Sequence, residues 1–310
     1  MRHTILGAGG SIGTALTYEL LKSNHKVRLV SRRGTNVEGT ESFKADITSY
    51  PELLECVKDS DIVHLMVGLP YDIKIWRELW PKIMQNTINA CKAVGAKLIF
   101  FDNVYMYGKV DGKMTEETPY NPCSKKGEVR VQLARMLENE MKQNDLNVII
   151  ARSADFYGPY ATQTSIPYVL AIEKLMKGKS AQWMGSVNTV HSYSFTLDCA
   201  KGLVLLSEDE KCFNQTWHLP TYNPPITGKE FIEIAAKEIG VAPKYSVAPK
   251  FMLKLLGLFN KIVAELNEML YQSEFDYYFD STKFNEYFKY QPKSYEEGLH
   301  ETIVYLKKNS

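Results

Sequence analysis

A chain of 310 residues that is 45% hydrophobic can bury a large core, and it is long enough for one big α/β domain carrying a smaller appended one. Its 37 basic and 36 acidic residues leave a net charge of +1, which gives no field suited to nucleic acid or to an anionic membrane. Five scattered cysteines (Cys56, Cys91, Cys123, Cys199, Cys212) suit free thiols better than a disulfide framework. The short apolar stretch after Met1 runs straight into glycines, unlike a signal peptide, and no apolar run approaches the roughly 20 residues of a membrane span. A cytoplasmic protein is expected.

In chain order, His3 to Leu6 reads as a strand, Gly7 to Gly13 as a turn, and Thr14 to Lys22 as a helix with apolar residues at helical spacing. Val27 to Ser31 and Ser42 to Ile47 read as the second and third strands, and Pro51 to Val57 as a short helix with proline in its first turn. Asp61 to Val67 has too few polar positions for a solvated face, which predicts a central strand of a parallel sheet. A long helical stretch follows from Asp72 to Val94, with an interruption or kink expected near Pro81. Ala96 to Asn103 and Asn147 to Ala151 complete the strands, with a helix over Cys123 to Lys142 between them. Strands alternating with helices imply right-handed crossovers and a doubly wound, Rossmann-type parallel sheet.

Residues 1–155 are therefore expected to form a dinucleotide-binding domain, to which a segment near 187–220 returns. Residues 156–310 are expected to form mainly a smaller, loop-rich substrate lobe. Helices are predicted there over Ile166 to Met176, Leu197 to Leu206, Lys229 to Ile239 and Phe251 to Leu270.

The first strand-to-helix junction, LGAGGSIG, spaces Gly7, Gly10 and Gly13 at three-residue intervals, with Ser11 and Ile12 between the last two. A diphosphate there would face the unpaired N–H groups and positive dipole of a helix N-terminus. Glycine lets the backbone approach the phosphates and the helix approach the strand. At the end of the second strand stand Ser31, Arg32 and Arg33, with no acid before Glu38. A carboxylate in that place would take a ribose 2′-hydroxyl, whereas guanidinium groups suit a 2′-phosphate, so NADP is expected over NAD. The plainer reading of the pair is a solvated basic turn.

These residues resemble the extended short-chain dehydrogenase/reductase family, also called the NAD-dependent epimerase/dehydratase family. The glycine turn is similar to the family's cofactor turn, with Leu6 where threonine is usual. Asp46 and Ile47 resemble the segment whose aspartate contacts the adenine. Val67 and Gly68 resemble the cofactor-lining loop after the fourth strand. Phe101 and Asp102 are also expected among the cofactor-binding residues, and Asp102 with Asn103 is a candidate to orient a substrate carbonyl. Asn86 resembles the family's helix asparagine. Arg152, Asp155, Tyr157, Gly158 and Pro159 resemble R-x-x-N-x-Y-G-P with aspartate for asparagine. Asp198, the segment Asp280 to Lys283 and the segment Ser294 to Leu299 resemble later motifs. The resemblance implies hydride transfer at a carbinol carbon of a hydroxylated small molecule such as a nucleotide sugar. It also implies a homodimer through the helices near 72–94 and 123–142, although those helices could equally be covered within the monomer.

The family's Ser/Thr–Tyr–Lys constellation is altered. Tyrosine and lysine normally sit four residues apart so that they share a helix face. Here Tyr120 precedes Lys125 by five residues and Lys126 by six, and Asn103 occupies the Ser/Thr position. Three readings stay open. In a rearranged set, Asn103, Tyr105 and Tyr107 alternate along one face if the strand continues. Tyr105 or Tyr120 then supplies the phenol, with its pKa lowered by Lys125 or Lys126. Alternatively, the protein binds NADP(H) without turnover, as a redox-responsive regulator. In the third reading Cys123, near a helix N-terminus beside two lysines, is a nucleophile. The plainer reading of each tyrosine is packing, and of Cys123 an incidental thiol. No paired histidine spacing suggests a metal. His191 is a candidate substrate contact or a packed histidine, and the four tryptophans read as core.

Overall fold

The computed structural model describes residues 1–162 and 165–309. Seven parallel strands form the central sheet: β1 (Arg2–Leu6), β2 (Lys26–Ser31), β3 (Glu41–Lys44), β4 (Ile62–Leu65), β5 (Lys97–Asp102), β6 (Val148–Arg152) and β7 (Gln215–His218). Their spatial order is β7-β6-β5-β4-β1-β2-β3. The order reverses between β1 and β4, which pair with His3 opposite Ile62 and Leu6 opposite Leu65. That reversal opens the crevice at the carboxyl ends of the strands where ligands bind in doubly wound sheets. β4 and β6 are buried at every position, as strands covered on both faces must be.

Helices cover both faces. α1 (Ser11–Lys22) and α5 (Thr196–Glu208) pack together on one side, burying Leu16, Leu20, Leu203 and Leu206 with Ile5 and Ile149 of the sheet. α2 (Tyr50–Val57), α3 (Ile73–Val94) and α4 (Lys125–Gln143) lie on the other, around Trp76, Trp80, Ile83, Phe100 and Leu133. All four tryptophans are buried. α3 runs through Pro81 as one helix instead of stopping there. It begins at Asp72, whose carboxylate accepts from the Lys74 N–H, and ends on Gly95 at φ 71°. The apolar face between these caps holds the helix across the missing proline N–H.

Later elements include α6 (Gly228–Ile239), α7 (Lys250–Gly257), α8 (Lys261–Asn267) and α9 (Tyr295–Lys308). The single helix expected over 251–270 is thus broken after Gly257. α6 and α9 pack together and share a core with Tyr157, Trp183, Phe195 and Tyr295. No helix among the described residues is long and apolar enough to cross a membrane.

Candidate functional site

The glycine turn is built as a close approach. Gly7 has φ +93°, and a Cβ there would lie 2.8 Å from the Val67 backbone on the loop after β4. A Cβ on Gly13 would lie 2.9 Å from the Gly7 carbonyl oxygen, so α1 can sit this near the turn only without a side chain at that position. Gly10 precedes α1, contributes no side-chain cap, and donates its N–H to the Gly7 carbonyl at 3.1 Å. The first turn carries no acid that would repel an anion.

A cleft of about 570 Å³ opens beside this turn. Of the residues expected from sequence, Gly10, Ser11, Ile12, Val67, Gly68, Phe101, Asp102, Asn103 and Tyr105 line it. Gly7 and Gly13 stand behind its wall as packing positions. The other expected cofactor residues lie outside the lining. Ser31 hydrogen-bonds Thr35 in the turn after β2, and Arg32 and Arg33 are exposed just beyond it. Asp46 is exposed and accepts the Thr48 N–H at 2.9 Å; that bond, with Arg32 as a lesser cause, lowers its pKa. Ile47 is buried, and Asn86 of α3 donates to its carbonyl and to that of Thr48, fixing this loop.

The polar end of the cleft departs from the expected pattern. The strand does not continue past Asp102. The Asp102 carboxylate accepts from the Asn103 N–H, the Asn103 side chain accepts from the Tyr105 N–H at 3.0 Å, and Tyr105–Tyr107 is a single 3-10 turn. Asparagine's capture of a backbone N–H two residues on ends the extended run. Tyr105 and Tyr107 therefore part company. Tyr105 faces the cleft beside Tyr71, stacked on Trp76 at 6.3 Å. The Tyr107 hydroxyl turns to Arg152 at 2.6 Å and His218 at 2.8 Å. Tyr120 joins that second group, donating to Glu138 and accepting from Arg152, both at 2.6 Å, and it does not line the cleft.

The lysines also serve elsewhere. Lys126 is fully buried, ion-paired with Glu265 and with Glu268 at 2.7 Å, its ammonium 4.4 Å over the Tyr71 ring. The Lys125 N–H donates to Glu268 at 3.0 Å. The cation beside Tyr105 is Arg130, one helical turn after Lys126 on the same face of α4. Arg130 lines the cleft, donates to Asp102 at 3.2 Å, and lies 4.2 Å over the Trp80 ring. Tyr105 is consequently raised, not lowered: burial and then Asp155 push its pKa up to about 12, against smaller opposing effects from Tyr71 and Arg130. Burial likewise raises Tyr71 and Asp102.

Tyr71 and Arg130 are site residues that sequence reasoning passed over. Arg130 was signalled by its four-residue spacing from Lys126. Nothing local signalled Leu266 of α8, which joins the cleft wall from far along the chain. Asp155 also lines the cleft, with its carboxylate 3.1 Å from the His191 ring, which stacks on Tyr277 at 4.2 Å. Cys123 is exposed and outside the lining. Among the described residues no group of three or more His, Cys, Asp or Glu could hold a metal.

Residues 3–216 match the model of the NAD dependent epimerase/dehydratase family. The chain belongs to that family. The Sinorhizobium fredii protein y4nL is 22% identical over 97% of this chain and 92% of its own length. Among solved structures of similar fold, the UDP-glucuronic acid 4-epimerase of Bacillus cereus, in complex with UDP-glucuronic acid and NAD, superposes with a TM-score of 0.82 at 18% identity over the whole of both chains. The Thermus thermophilus UDP-glucose 4-epimerase, in complex with NAD, superposes with a TM-score of 0.81 at 18% identity over 99% of both. This epimerase/dehydratase family member thus keeps the glycine turn and the crevice, with Asn103, Tyr105, Tyr71 and Arg130 at the polar end of the cleft.

Proposed function

We propose that the protein is a nicotinamide-dinucleotide-dependent oxidoreductase or epimerase acting on a carbinol carbon of a nucleotide sugar, with Tyr105 as the acid/base. The observation that carries this reading is that the glycine turn and the Tyr105 phenol share one cleft, which is what hydride and proton exchange at a single carbon requires. The Gly7 and Gly13 close approaches and the uncapped start of α1 fit a diphosphate. The nicotinamide, when bound, supplies the hydride acceptor and donor. The chain's own residues would hold the oxygen. Tyr105, neutral at physiological pH given its raised pKa of about 12, donates a hydrogen bond to a substrate carbonyl oxygen and yields its proton as that oxygen becomes a hydroxyl. Asn103 and Arg130 orient the same oxygen and stabilise its negative charge. The nucleotide sugars held by the solved neighbours support the substrate class.

Two observations pull apart on the cofactor's adenosine end. The solved neighbours hold NAD, which favours NAD here. Exposed Arg32 and Arg33 after β2 are the residue type that accommodates a 2′-phosphate, which favours NADP. Calorimetry with NADH and NADPH on wild type and Arg32→Ala decides. Selective weakening of NADPH assigns NADP, and equal effects on both refute the 2′-phosphate role of Arg32.

For the activity itself, the purified protein is mixed with either dinucleotide and a panel of UDP- and dTDP-linked sugars, and the absorbance of the reduced cofactor and the sugar products are followed. Tyr105→Phe should lower turnover by about 10²- to 10⁴-fold with cofactor affinity unchanged. Tight cofactor binding with no conversion of any sugar would overturn the enzymatic reading. Conversion unaffected by Tyr105→Phe would overturn the assignment of the acid.

A further inference from the structure

An even balance of charge over the whole chain conceals one strongly biased segment. Between Glu238 and Glu265 the sequence contains no acidic residue and four lysines: Lys244, Lys250, Lys254 and Lys261. The same stretch holds nine of the fifteen exposed large apolar side chains found among the described residues. In α7 and just after it, Phe251, Leu255, Leu258 and Phe259 recur at i, i+4, i+7 and i+8, which is one face of a helix. They are 74%, 57%, 76% and 87% exposed, whereas Leu253, pointing inward, is 7% exposed. Apolar side chains on this scale, clustered and rimmed by lysines, mark an interaction surface and not the scatter normal to a soluble face.

The platform beneath is fixed. α7 packs on α8, and the Asn267 side chain donates to the Leu253 carbonyl at 3.1 Å. Glu265 and Glu268 tie this region to buried Lys126 of α4, and Lys261 pairs with Asp72 at 2.5 Å. Lys250 pairs with Glu274, but Lys244 and Lys254 are exposed and have no ion pair among the described residues. Their charge is available to a partner.

We propose that the segment from Val241 to Lys261 docks the protein on the surface of a membrane containing anionic lipid. The apolar face of α7 would enter the headgroup boundary, and Lys244 and Lys254 would face the lipid phosphates. This is the binding mode of an amphipathic helix lying in the interface, and it requires no spanning segment. Charge decides between occupants. A second copy meeting this patch through a two-fold axis would bring lysines against lysines, which disfavours self-association. An anionic bilayer complements both the apolar face and the positive rim. Because α8 supplies Leu266 to the cleft, docking would also bring the substrate site close to the lipid surface.

The test is flotation of the full-length protein with vesicles of phosphatidylcholine alone and of phosphatidylcholine with phosphatidylglycerol, run beside light-scattering chromatography. Wild type should float with the anionic vesicles, float poorly with the neutral ones, and be released by high salt. The exposed-site variant Leu258→Ser with Phe259→Ser, its fold checked by circular dichroism, should partition at least about tenfold less. Lys254→Glu, which reverses one charge and deletes no apolar contact, should weaken partition roughly tenfold and only on anionic vesicles. Failure to float with anionic vesicles overturns the proposal. So does equal binding to both compositions, or a self-association that the serine pair abolishes in protein that ignores vesicles. None of these readouts depends on turnover.

Discussion

Substituting Gly7 by alanine tests the account of the cofactor turn at its tightest point. Two costs add. The backbone at φ +93° is one that an L side chain adopts at a penalty of about 1–2 kcal/mol. The new methyl would also lie 2.8 Å from both the Cα and the N of Val67, and since these are backbone atoms no rotamer change relieves the contact. Overpacking of this kind costs about 1–3 kcal/mol, for a combined loss of roughly 2–5 kcal/mol. At about 2.1 cal/mol/K of unfolding entropy per residue, 310 residues give an entropy near 650 cal/mol/K, so the midpoint should fall by about 3–8 °C. Any shift that separates the turn from the β4 loop also spoils the diphosphate seat, so dinucleotide affinity should fall in the same variant. Gly68→Ala is the control, because a Cβ there meets nothing within 4 Å. It should leave the midpoint within about a degree, since surface changes rarely exceed 0.5 kcal/mol. Scanning calorimetry and dinucleotide titration read both effects. A Gly7→Ala protein as stable as Gly68→Ala, with undiminished affinity, would refute the close-approach argument.

Tyr120→Phe should separate packing from chemistry. It deprives Arg152 and Glu138 of a shared partner and should cost about 1–3 kcal/mol in urea unfolding, with kcat unchanged; a loss of kcat like that of Tyr105→Phe would put the phenol in the reaction after all. Acid should destabilise the fold early. Burial lowers His3 and His218 to about 3 and holds His64 well below its ordinary value, so between pH 6.5 and 3 the unfolded chain binds more protons at these rings than the native one, and stability rises with pH across that window. Urea midpoints should fall from pH 7 to pH 5, and a flat profile would show that the rings are charged in the fold. Lys126→Met should leave Glu265 and Glu268 facing each other without their cation and cost about 3 kcal/mol or more by calorimetry, whereas an unchanged midpoint would mean that the pairing contributes nothing.

The sheet could be read from the sequence because its signals are local. A run such as Ile62–Leu65, three apolar residues and one histidine, has too few polar positions for a water-facing side, and it lies buried between β1 and β5. The glycine turn was legible for the same reason, since positive φ and close approach are demands on single residues. The polar end of the cleft was less so. Continuing the strand to Tyr107 assumed an extended backbone where Asn103 closes a turn, and that choice sent Tyr107 to the wrong face. The search for tyrosine four residues before lysine passed over the Lys126–Arg130 spacing, in which arginine takes the place facing the cleft. Lys126 looked available because its two carboxylates come from α8 and from the residue just after it, and no local pattern tells a helix which distant segment will cover it.

The last strand of the sheet has a consequence for how the chain is made. β7 pairs with β6 through Gln215 opposite Ile149 to His218 opposite Arg152, and it emerges more than sixty residues after its neighbour. Until it arrives, the growing polypeptide presents β6, a wholly apolar run ending in a buried arginine, with one row of amides and carbonyls bare. A fragment cut after the first six strands would keep that open edge permanently, and should clump where the longer chain does not. Ribosomal release of residues 215–218 is thus the moment at which apolar β6 gains its second neighbour and the short, half-covered β7 takes over as the edge.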